Sequence, residues 1–399
     1  MLETSAHCMR CMASLKREDD VCPDCGFDIA FAHNADFQLE CASILGGAYL
    51  VGCALGQGGF GITYIGWDLN LEQKIAIKEF FPEGCVMRDA RSHSAVLPYP
   101  GEREIAFKKG RERFVNEARA LAKFARDDGI VGVRGFVNEN GTSYIIMDFI
   151  EGETLKAYVK KHEGKLSVEE TLTLFQPLFQ SLENIHKKGL IHRDISPDNI
   201  MLQSDGQLVL LDFGAARQIS TYGEHSNTVN VKHGFAPEEQ YRTHGEQGAW
   251  TDIYSLCATI YYLTTGVIPQ QALERMANQA QLVPPNQLGA SFTRKQEKAL
   301  MKGLSVRGDQ RQQNVSELKA ELYDEVGSGS TRDPKRRGKE TGKESIYLPT
   351  VIPSDEKEAD AEKDNLTQPF ITKPVKKKKE RKRSNQNLRK TILVAAIIF

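Results

Sequence analysis

The fold of this chain is decided by the stretch His192-Arg193-Asp194-Ile195-Ser196-Pro197-Asp198-Asn199, which is followed after twelve further residues by Asp212-Phe213-Gly214. The residues between them form two short apolar runs around a Ser-Asp-Gly turn, a pattern that predicts a β-hairpin. Such a hairpin would bring Asp194, Asn199 and Asp212 to one point in space. Carboxylate and amide oxygens gathered in this way are suitable ligands for Mg²⁺.

A glycine-rich segment, Gly56-Gln57-Gly58-Gly59-Phe60-Gly61, has the spacing G-x-G-x-x-G. In dinucleotide-binding folds the same letters open a helix, whereas here the residues after Gly61 are β-branched and aromatic and predict a second strand. The glycines therefore predict a hairpin. In it, the backbone N–H groups of Gly56, Gly58 and Gly61 can approach phosphate groups without hindrance from a Cβ atom.

A lysine and a glutamate extend this pattern. Lys78 ends the strand-like run Ile75-Ala76-Ile77-Lys78, where a lysine is usually a solvated edge charge. Because it follows a glycine hairpin, we interpret it as the cation that holds the α- and β-phosphates of a nucleotide. Its expected partner is an acid on the next predicted helix, about residues 111–124. Glu117 is the better candidate there, because Glu112 lies too near the start of the helix.

From about residue 48 to 326 the sequence thus resembles eukaryotic-type protein kinases, in a style close to the membrane-anchored Ser/Thr kinases of bacteria. The resemblance implies an α+β, bilobal protein-kinase fold over residues 45–326, with a β-rich N-lobe and a helical C-lobe. It also implies transfer of the γ-phosphate of ATP, with Mg²⁺, to Ser/Thr hydroxyls of protein substrates. In this family Asp194 would accept or orient the proton of the attacking hydroxyl, while Asn199 and Asp212 would hold Mg²⁺.

The resemblance assigns roles to further residues. Backbone groups near Asp148 and Ile150 are expected to pair with adenine, at the hinge between the lobes. Glu238, in Ala236-Pro237-Glu238, is expected to pair with Arg311, and Asp252 is expected to brace the catalytic loop from a buried helix. An arginine before the catalytic aspartate implies an activation segment ordered by phosphate, with autophosphorylation there, in trans within a dimer. Its candidate sites are Ser220, Thr221, Tyr222, Ser226 and Thr228, of which Thr228 is preferred.

One residue departs from the family pattern, because Ser196 stands where Ser/Thr kinases usually carry a lysine that touches the transferring phosphate. A hydroxyl cannot replace that charge, so either another cation serves or turnover is slow. We expect activity to survive, since Lys78, Asp194, Asn199 and Asp212 are present. The alternative is a nucleotide-binding pseudokinase scaffold. A small-molecule kinase on the same fold is disfavoured by the Ala-Pro-Glu segment, which belongs to a peptide-docking platform.

Residues 1–35 carry two Cys-x-x-Cys pairs, formed by Cys8, Cys11, Cys22 and Cys25. Two such pairs, the second followed by glycine, resemble the knuckles of a zinc ribbon, in which four thiolates surround one structural Zn²⁺. The alternatives are disulfides, which a reducing cytoplasm disfavours, and a redox Cys-x-x-Cys, which the duplication disfavours.

The ends of the chain differ in charge, although the 399 residues have a net charge of only −1. Residues 327–390 are rich in charge, strongly basic from Lys373 onward and poor in large apolar residues, which predicts a disordered juxtamembrane linker. The apolar residues of 391–399 are too few to span a bilayer, which takes about 20. A basic run before an apolar run is nevertheless typical of the cytoplasmic flank of a transmembrane helix. We expect residues 391–399 to be the start of a transmembrane helix that continues beyond this chain. The protein would then be membrane-tethered, with a cytoplasmic kinase region and no nucleic-acid partner; a basic tail that binds acidic lipid is the alternative.

Overall fold

The structure, a computed structural model, describes residues 7–16, 19–124, 127–213, 232–242 and 245–323. The predicted linker 327–390, the apolar segment 391–399, Gly214 and the five candidate phosphorylation sites from Ser220 to Thr228 lie outside the described residues. No helix in the described part of the chain combines the length and the apolar character needed to cross a membrane.

The N-lobe is built on a six-stranded antiparallel sheet with the strand order β1-β2-β3-β4-β8-β7. One long helix, α1, packs on this sheet through a row of apolar side chains, and Phe107 and Phe114 both contact the ring of Phe80. The elements are β1 (Ile44–Leu45), β2 (Tyr49–Gly58), β3 (Gly61–Asp68), β4 (Gln73–Phe80), β5 (Val86–Arg88), β6 (Val96–Pro98), α1 (Glu102–Leu121), β7 (Val133–Glu139) and β8 (Thr142–Asp148).

The C-lobe is helical, as predicted. The Ser167 side chain caps α3, and α4 is buried along nearly its whole length, so these two helices form the centre of the lobe. The predicted hairpin after the catalytic loop is confirmed as β10 paired with β11. The elements are β9 (Glu153–Thr154), α2 (Leu155–Lys161), α3 (Val168–Lys187), β10 (Ile200–Leu202), β11 (Leu208–Leu210), α4 (Ala249–Thr265), α5 (Ala272–Met276), α6 (Arg294–Gly303) and α7 (Val315–Leu322).

The connection between β4 and α1 differs most from the sequence-based expectation. Helix α1 begins at Glu102, nine residues before the predicted start, and the residues before it form the hairpin β5–β6. Arg88 on this hairpin reaches into the N-lobe and pairs with Glu79, whose carboxylate also accepts hydrogen bonds from Tyr64 and Tyr144. Glu79 and the Arg88 side chain are almost fully buried, so the hairpin is held by a polar network inside the lobe.

The cysteine-rich segment packs directly on the N-lobe sheet. The backbone N–H of Cys53, on β2, donates to the carbonyl oxygen of Met9 at 2.7 Å. A Cβ atom at Gly52 would lie 2.1 Å from the Met12 side chain and 2.4 Å from the Met9 oxygen, so only glycine permits this approach. The ring of His7 also contacts that of Trp67 on β3. The segment therefore touches the strand that leads into the glycine hairpin.

Candidate active site

The predicted catalytic loop, residues 192–199, is held by Asp252, whose side chain is fully buried on α4. Its carboxylate accepts hydrogen bonds from the backbone N–H groups of His192 and Arg193, at 2.8 and 2.7 Å, and contacts the ring of His186 at 2.7 Å. Burial alone would raise the pKa of Asp252, but these donors lower it, so the group is a carboxylate at neutral pH. Arg193 has a φ of +69°, a strained value for a side-chain-bearing residue, and the Asp252 hydrogen bonds hold it there. The predicted bracing role of Asp252 is confirmed.

His192 is a neutral, fully buried imidazole. Burial lowers its pKa, although the nearby carboxylates of Asp252 and Asp194 act in the opposite direction. Its ring nitrogens fit the neutral form, because Nε2 lies 2.9 Å from the Leu211 carbonyl oxygen while Nδ1 accepts from the Asp194 N–H. The ring also packs on Phe213, with the centroids 4.4 Å apart. His192 thus links the catalytic loop to the Asp-Phe-Gly segment.

Asp194, Asn199 and Asp212 meet at the floor of one cleft, as the spacing predicts. The Asn199 side-chain amide donates to the Asp194 carbonyl oxygen at 2.9 Å, and the Leu211 N–H donates to the Asn199 carbonyl oxygen at 2.9 Å. Because the Asn199 nitrogen is engaged in this way, its Oδ1 is the atom that could ligate a metal. All three side chains line a cavity of about 950 Å³ between the lobes.

The roof of this cavity is the glycine hairpin, formed by the end of β2 and the start of β3. A Cβ atom at Gly61 would lie 2.2 Å from the Glu79 carbonyl oxygen, so the last glycine packs against β4. At Gly56 and Gly58 a Cβ atom would meet no described atom within 4 Å. These two residues line the cavity, so the space beside their backbone could take the phosphates of a nucleotide.

Lys78 lines the same cavity and forms an ion pair with Asp212, with Nζ 2.7 Å from Oδ1. Burial opposes ionisation of Asp212, but the Lys78 ammonium lowers the pKa of the carboxyl below its ordinary value. An ionised Asp212 beside the Asn199 amide oxygen is a donor set that fits Mg²⁺.

Lys232 was not among the residues predicted from the sequence. Its Nζ donates to the Ser196 hydroxyl at 2.7 Å and lies 3.9 Å from Asp194 Oδ1 and 4.0 Å from Asp198 Oδ2. An ammonium group therefore stands beside the residue that replaces the usual lysine, in the same cavity as Asp194, the predicted catalytic aspartate. The only signal in the sequence was a lysine shortly before the Ala-Pro-Glu segment, 36 residues from its partner.

Glu117 lies on α1, as predicted, but lines a different and smaller cavity from Lys78. This cavity of about 290 Å³ is also lined by Arg193 and Phe213. The predicted Lys78–Glu117 pair stays a prediction, and the arrangement described here pairs Lys78 with Asp212 instead.

Asp148 and Ile150 lie where the hinge was predicted. Strand β8 ends at Asp148, whose backbone N–H donates to the Gly132 carbonyl oxygen and whose carboxylate pairs with Arg134. Ile150 lies in the connection that leads to β9 and the C-lobe. Their contact with adenine stays a prediction; the backbone atoms to consider are the carbonyl of Asp148 and the N–H of Ile150.

The predicted pair between Glu238 and Arg311 is wrong. The next residue, Glu239, forms the pair, with two nitrogen-to-oxygen contacts of 2.8 and 3.1 Å, and both partners are almost fully buried. Glu238 instead contacts Arg242, which is more than half exposed. The physical reason is the 3-10 turn Glu238–Tyr241, which directs the second glutamate into the lobe.

The four N-terminal cysteines converge on one point. Their sulfur atoms all lie within 4.8 Å of one another, with Cys8–Cys25 and Cys11–Cys22 at 3.7 Å. Four sulfurs each about 2.3 Å from one tetrahedral ion would stand about 3.8 Å apart, so the spacing fits Zn²⁺. Burial opposes ionisation of Cys22, but backbone N–H groups of Cys25 and Asp24 help to lower its pKa to about 7.

Comparisons with known proteins agree with this geometry. The family model described as "Protein kinase domain" matches residues 49–337. Serine/threonine-protein kinase F of Synechocystis is 34% identical over 59% of this chain and 47% of its own length. PknA of Nostoc, also named a serine/threonine-protein kinase, is 33% identical over 57% of this chain and 39% of its own length. A solved structure titled "PpkA-294 apo form" has a TM-score of 0.64 and 33% identity, and the match covers 72% of this chain and 99% of that one. The chain thus spans less than half the length of these two curated relatives.

Proposed function

The chain belongs to the protein kinase family, and from this premise we propose that it transfers the γ-phosphate of ATP to serine and threonine hydroxyls of proteins. The observation that carries the proposal is the convergence of Asp194, Asn199, Asp212 and Lys78 on one cavity beneath a glycine hairpin. The names of the relatives point in the same direction.

In the proposed reaction each residue acts on a defined atom. Asp194 orients the attacking hydroxyl of the substrate and takes up its proton, while its backbone is fixed by Asn199 and by the Asp252-braced loop. Lys78 and the glycine hairpin hold the phosphates. Asp212 and Asn199 would hold Mg²⁺, which neutralises the charge of the phosphate oxygens when bound.

Glu117 has a place in this proposal. In active protein kinases the strand lysine pairs with a glutamate of the N-lobe helix. Here Lys78 pairs with Asp212, so Lys78 would have to exchange the Asp212 carboxylate for the phosphates and Glu117. We propose that this exchange accompanies nucleotide binding, with a shift of α1 toward the cavity.

The experiment that tests the function is transfer from γ-labelled ATP with Mg²⁺ to a generic protein substrate. Wild type is expected to label serine and threonine, and Asp194→Asn to lower the rate by about 10²- to 10⁴-fold while ATP still binds. A wild-type chain that binds ATP but transfers no phosphate would contradict the proposal and favour the second candidate, a nucleotide-binding scaffold. The replacement of the usual lysine by Ser196 is the observation that favours that candidate.

We also propose that the four cysteines bind a structural Zn²⁺. The support is the tetrahedral spacing of the sulfurs, and metal analysis of the purified chain tests it, with one equivalent of zinc expected. Less than half an equivalent would argue against it.

Membrane tethering and trans-autophosphorylation complete the proposed picture. The basic run from Lys373 followed by apolar residues supports membrane tethering, and co-sedimentation of the full chain with anionic vesicles tests it.

For trans-autophosphorylation, wild type mixed with Asp194→Asn is expected to place label on the inactive chain. An unlabelled inactive chain beside a labelled wild type would limit the reaction to one molecule.

A further inference from the structure

Lys232 occupies a defined position at the floor of the cleft. Its ammonium donates to Ser196 Oγ at 2.7 Å and lies about equally far from Asp194 and Asp198, at 3.9 and 4.0 Å. Ser196 is fully buried, so its hydroxyl is a fixed acceptor. The Lys232 side chain keeps 29% of its surface exposed, and that surface faces the cavity it shares with Lys78.

The backbone around Lys232 is anchored to the C-lobe. Its carbonyl oxygen accepts hydrogen bonds from the N–H groups of Phe235 and Ala236, at 3.0 and 3.1 Å, which closes a turn. The Phe235 ring is buried and contacts Tyr262 on α4. Gly234 has a φ of +82°, and a Cβ there would lie 2.4 Å from the Ile268 side chain. The position of the ammonium is therefore set by packing as well as by charge.

We propose that Lys232 is the catalytic cation that contacts the transferring γ-phosphate, in place of the lysine that Ser196 replaces. This inference rests on the proposed function. In the step, the substrate oxygen forms a bond to the γ-phosphorus, the bond from that phosphorus to the β,γ-bridging oxygen breaks, and ADP leaves. The hydroxyl proton goes to Asp194. Lys232 takes no proton and changes no bond; it offsets negative charge on the γ-phosphate oxygens.

The charge balance of the site supports this role. Asp194, Asp198 and Asp212 bring three carboxylates to the cavity, and Lys78 is already paired with one of them. Mg²⁺ held by Asp212 and Asn199 would offset part of the phosphate charge, but Asp194 and Asp198 would still repel the γ-phosphate unless a cation stood beside them. Lys232 is the described ammonium group within 4 Å of Asp194. Ser196 then serves as the acceptor that orients the ammonium. The two residues together place a positive charge beside the γ-phosphate, as the usual lysine does alone.

The position of Lys232 couples catalysis to the segment that the kinase resemblance assigns to substrate docking. In the usual arrangement the lysine belongs to the catalytic loop itself. Here it belongs to the turn before Ala236-Pro237, which is tied to the loop by Gln240, whose amide donates to the Arg193 carbonyl oxygen at 2.7 Å. Displacing residues 232–242 would therefore remove a catalytic charge as well as a docking surface.

A charge-relocation experiment tests the inference on the full chain. Lys232→Ser is expected to lower kcat by about 10²- to 10³-fold, the usual loss for one group that stabilises the transition state, with little change in the Kd for ATP. The double variant Ser196→Lys with Lys232→Ser returns the charge to the catalytic loop and is expected to recover most of the lost kcat. Ser196→Ala keeps the ammonium and is expected to lose far less than Lys232→Ser.

The outcomes separate this inference from the function on which it rests. A wild-type chain without transfer overturns the proposed function and the inference with it. An active wild type alongside a fully active Lys232→Ser overturns the inference alone. A double variant that folds but stays as slow as Lys232→Ser also overturns it. Moving the charge restores a role that depends on the charge, but it does not restore a role in positioning other groups. Thermal unfolding of each variant checks that the chain is folded, and Lys232→Gln replaces Lys232→Ser if the shorter side chain prevents folding.

Discussion

Replacing Glu239 by glutamine is expected to destabilise the C-lobe strongly, whereas the same change at Glu238 is expected to do almost nothing. Glu239 holds both ends of the Arg311 guanidinium and also accepts from the Thr251 hydroxyl at 3.0 Å. Arg311 is 2% exposed, so Glu239→Gln leaves a buried positive charge without its counter-ion. Breaking a buried ion pair in this way costs about 3–5 kcal/mol.

The neighbouring glutamate is the matched control. Glu238 contacts Arg242 at 2.7 Å, but the Arg242 side chain is 55% exposed, and a solvent-screened pair of this kind contributes about 0–1 kcal/mol. Because the two substitutions are chemically identical and adjacent, differences in helix propensity or net charge cancel between them. We therefore expect the two free energies of unfolding to differ by at least about 2 kcal/mol.

Urea unfolding of the full chain, followed by tryptophan fluorescence, measures both variants. The expected result is a lower midpoint for Glu239→Gln at an unchanged slope, and a midpoint for Glu238→Gln close to that of wild type. We also expect slower phosphate transfer by Glu239→Gln, because Gln240 ties the same turn to the Arg193 carbonyl oxygen. Equal midpoints, or a larger loss at Glu238, would refute the assignment of Glu239 as the buried partner.

Three further predictions address other parts of the molecule. Removing metal with a chelator is expected to lower the Tm measured by calorimetry, and added zinc is expected to restore it. The Tm of a Cys11→Ser chain should change with neither treatment. A wild-type Tm that the chelator leaves unchanged would count against the zinc site. Arg88→Met leaves the buried Glu79 carboxylate without its counter-ion and is expected to lower the free energy of unfolding in urea by about 3–5 kcal/mol. Adding Glu79→Gln to the same chain should restore part of this loss. The lowered pKa of His192 means that the unfolded chain binds a proton that the folded chain does not, so the free energy of unfolding is expected to fall as the pH drops below about 6.5. His192→Gln should reduce this dependence of stability on pH. An unchanged dependence would show that other groups cause it.

The catalytic centre could be predicted from the sequence because its residues stand in short motifs with fixed spacing. Asp194, Asn199 and Asp212 are brought together by a hairpin that two apolar runs and a turn specify locally. Asp252 was assigned through the family resemblance, and the structure buries it in the first turn of a helix that is apolar on nearly every side, where its carboxylate needs partners. In these cases local pattern and long-range contact agree.

The features that escaped prediction depend on geometry that the sequence does not encode locally. Two adjacent glutamates look equivalent until a 3-10 turn directs Glu239 rather than Glu238 into the lobe. Lys232 and Ser196 are far apart along the chain, and only the fold shows that their side chains are in contact. The hairpin β5–β6 has strands of three residues each, too short for a periodic signal, and its main anchor is the buried pair of Arg88 with Glu79.

Phosphate transfer by this cleft can be measured as a change in the intact mass of the chain after incubation with ATP and Mg²⁺. Wild type is expected to gain whole phosphoryl masses on serine or threonine, and Asp194→Asn under the same conditions to gain them at least about 10²-fold more slowly. A wild-type chain that binds ATP yet keeps its original mass and labels no added protein would contradict the proposed function.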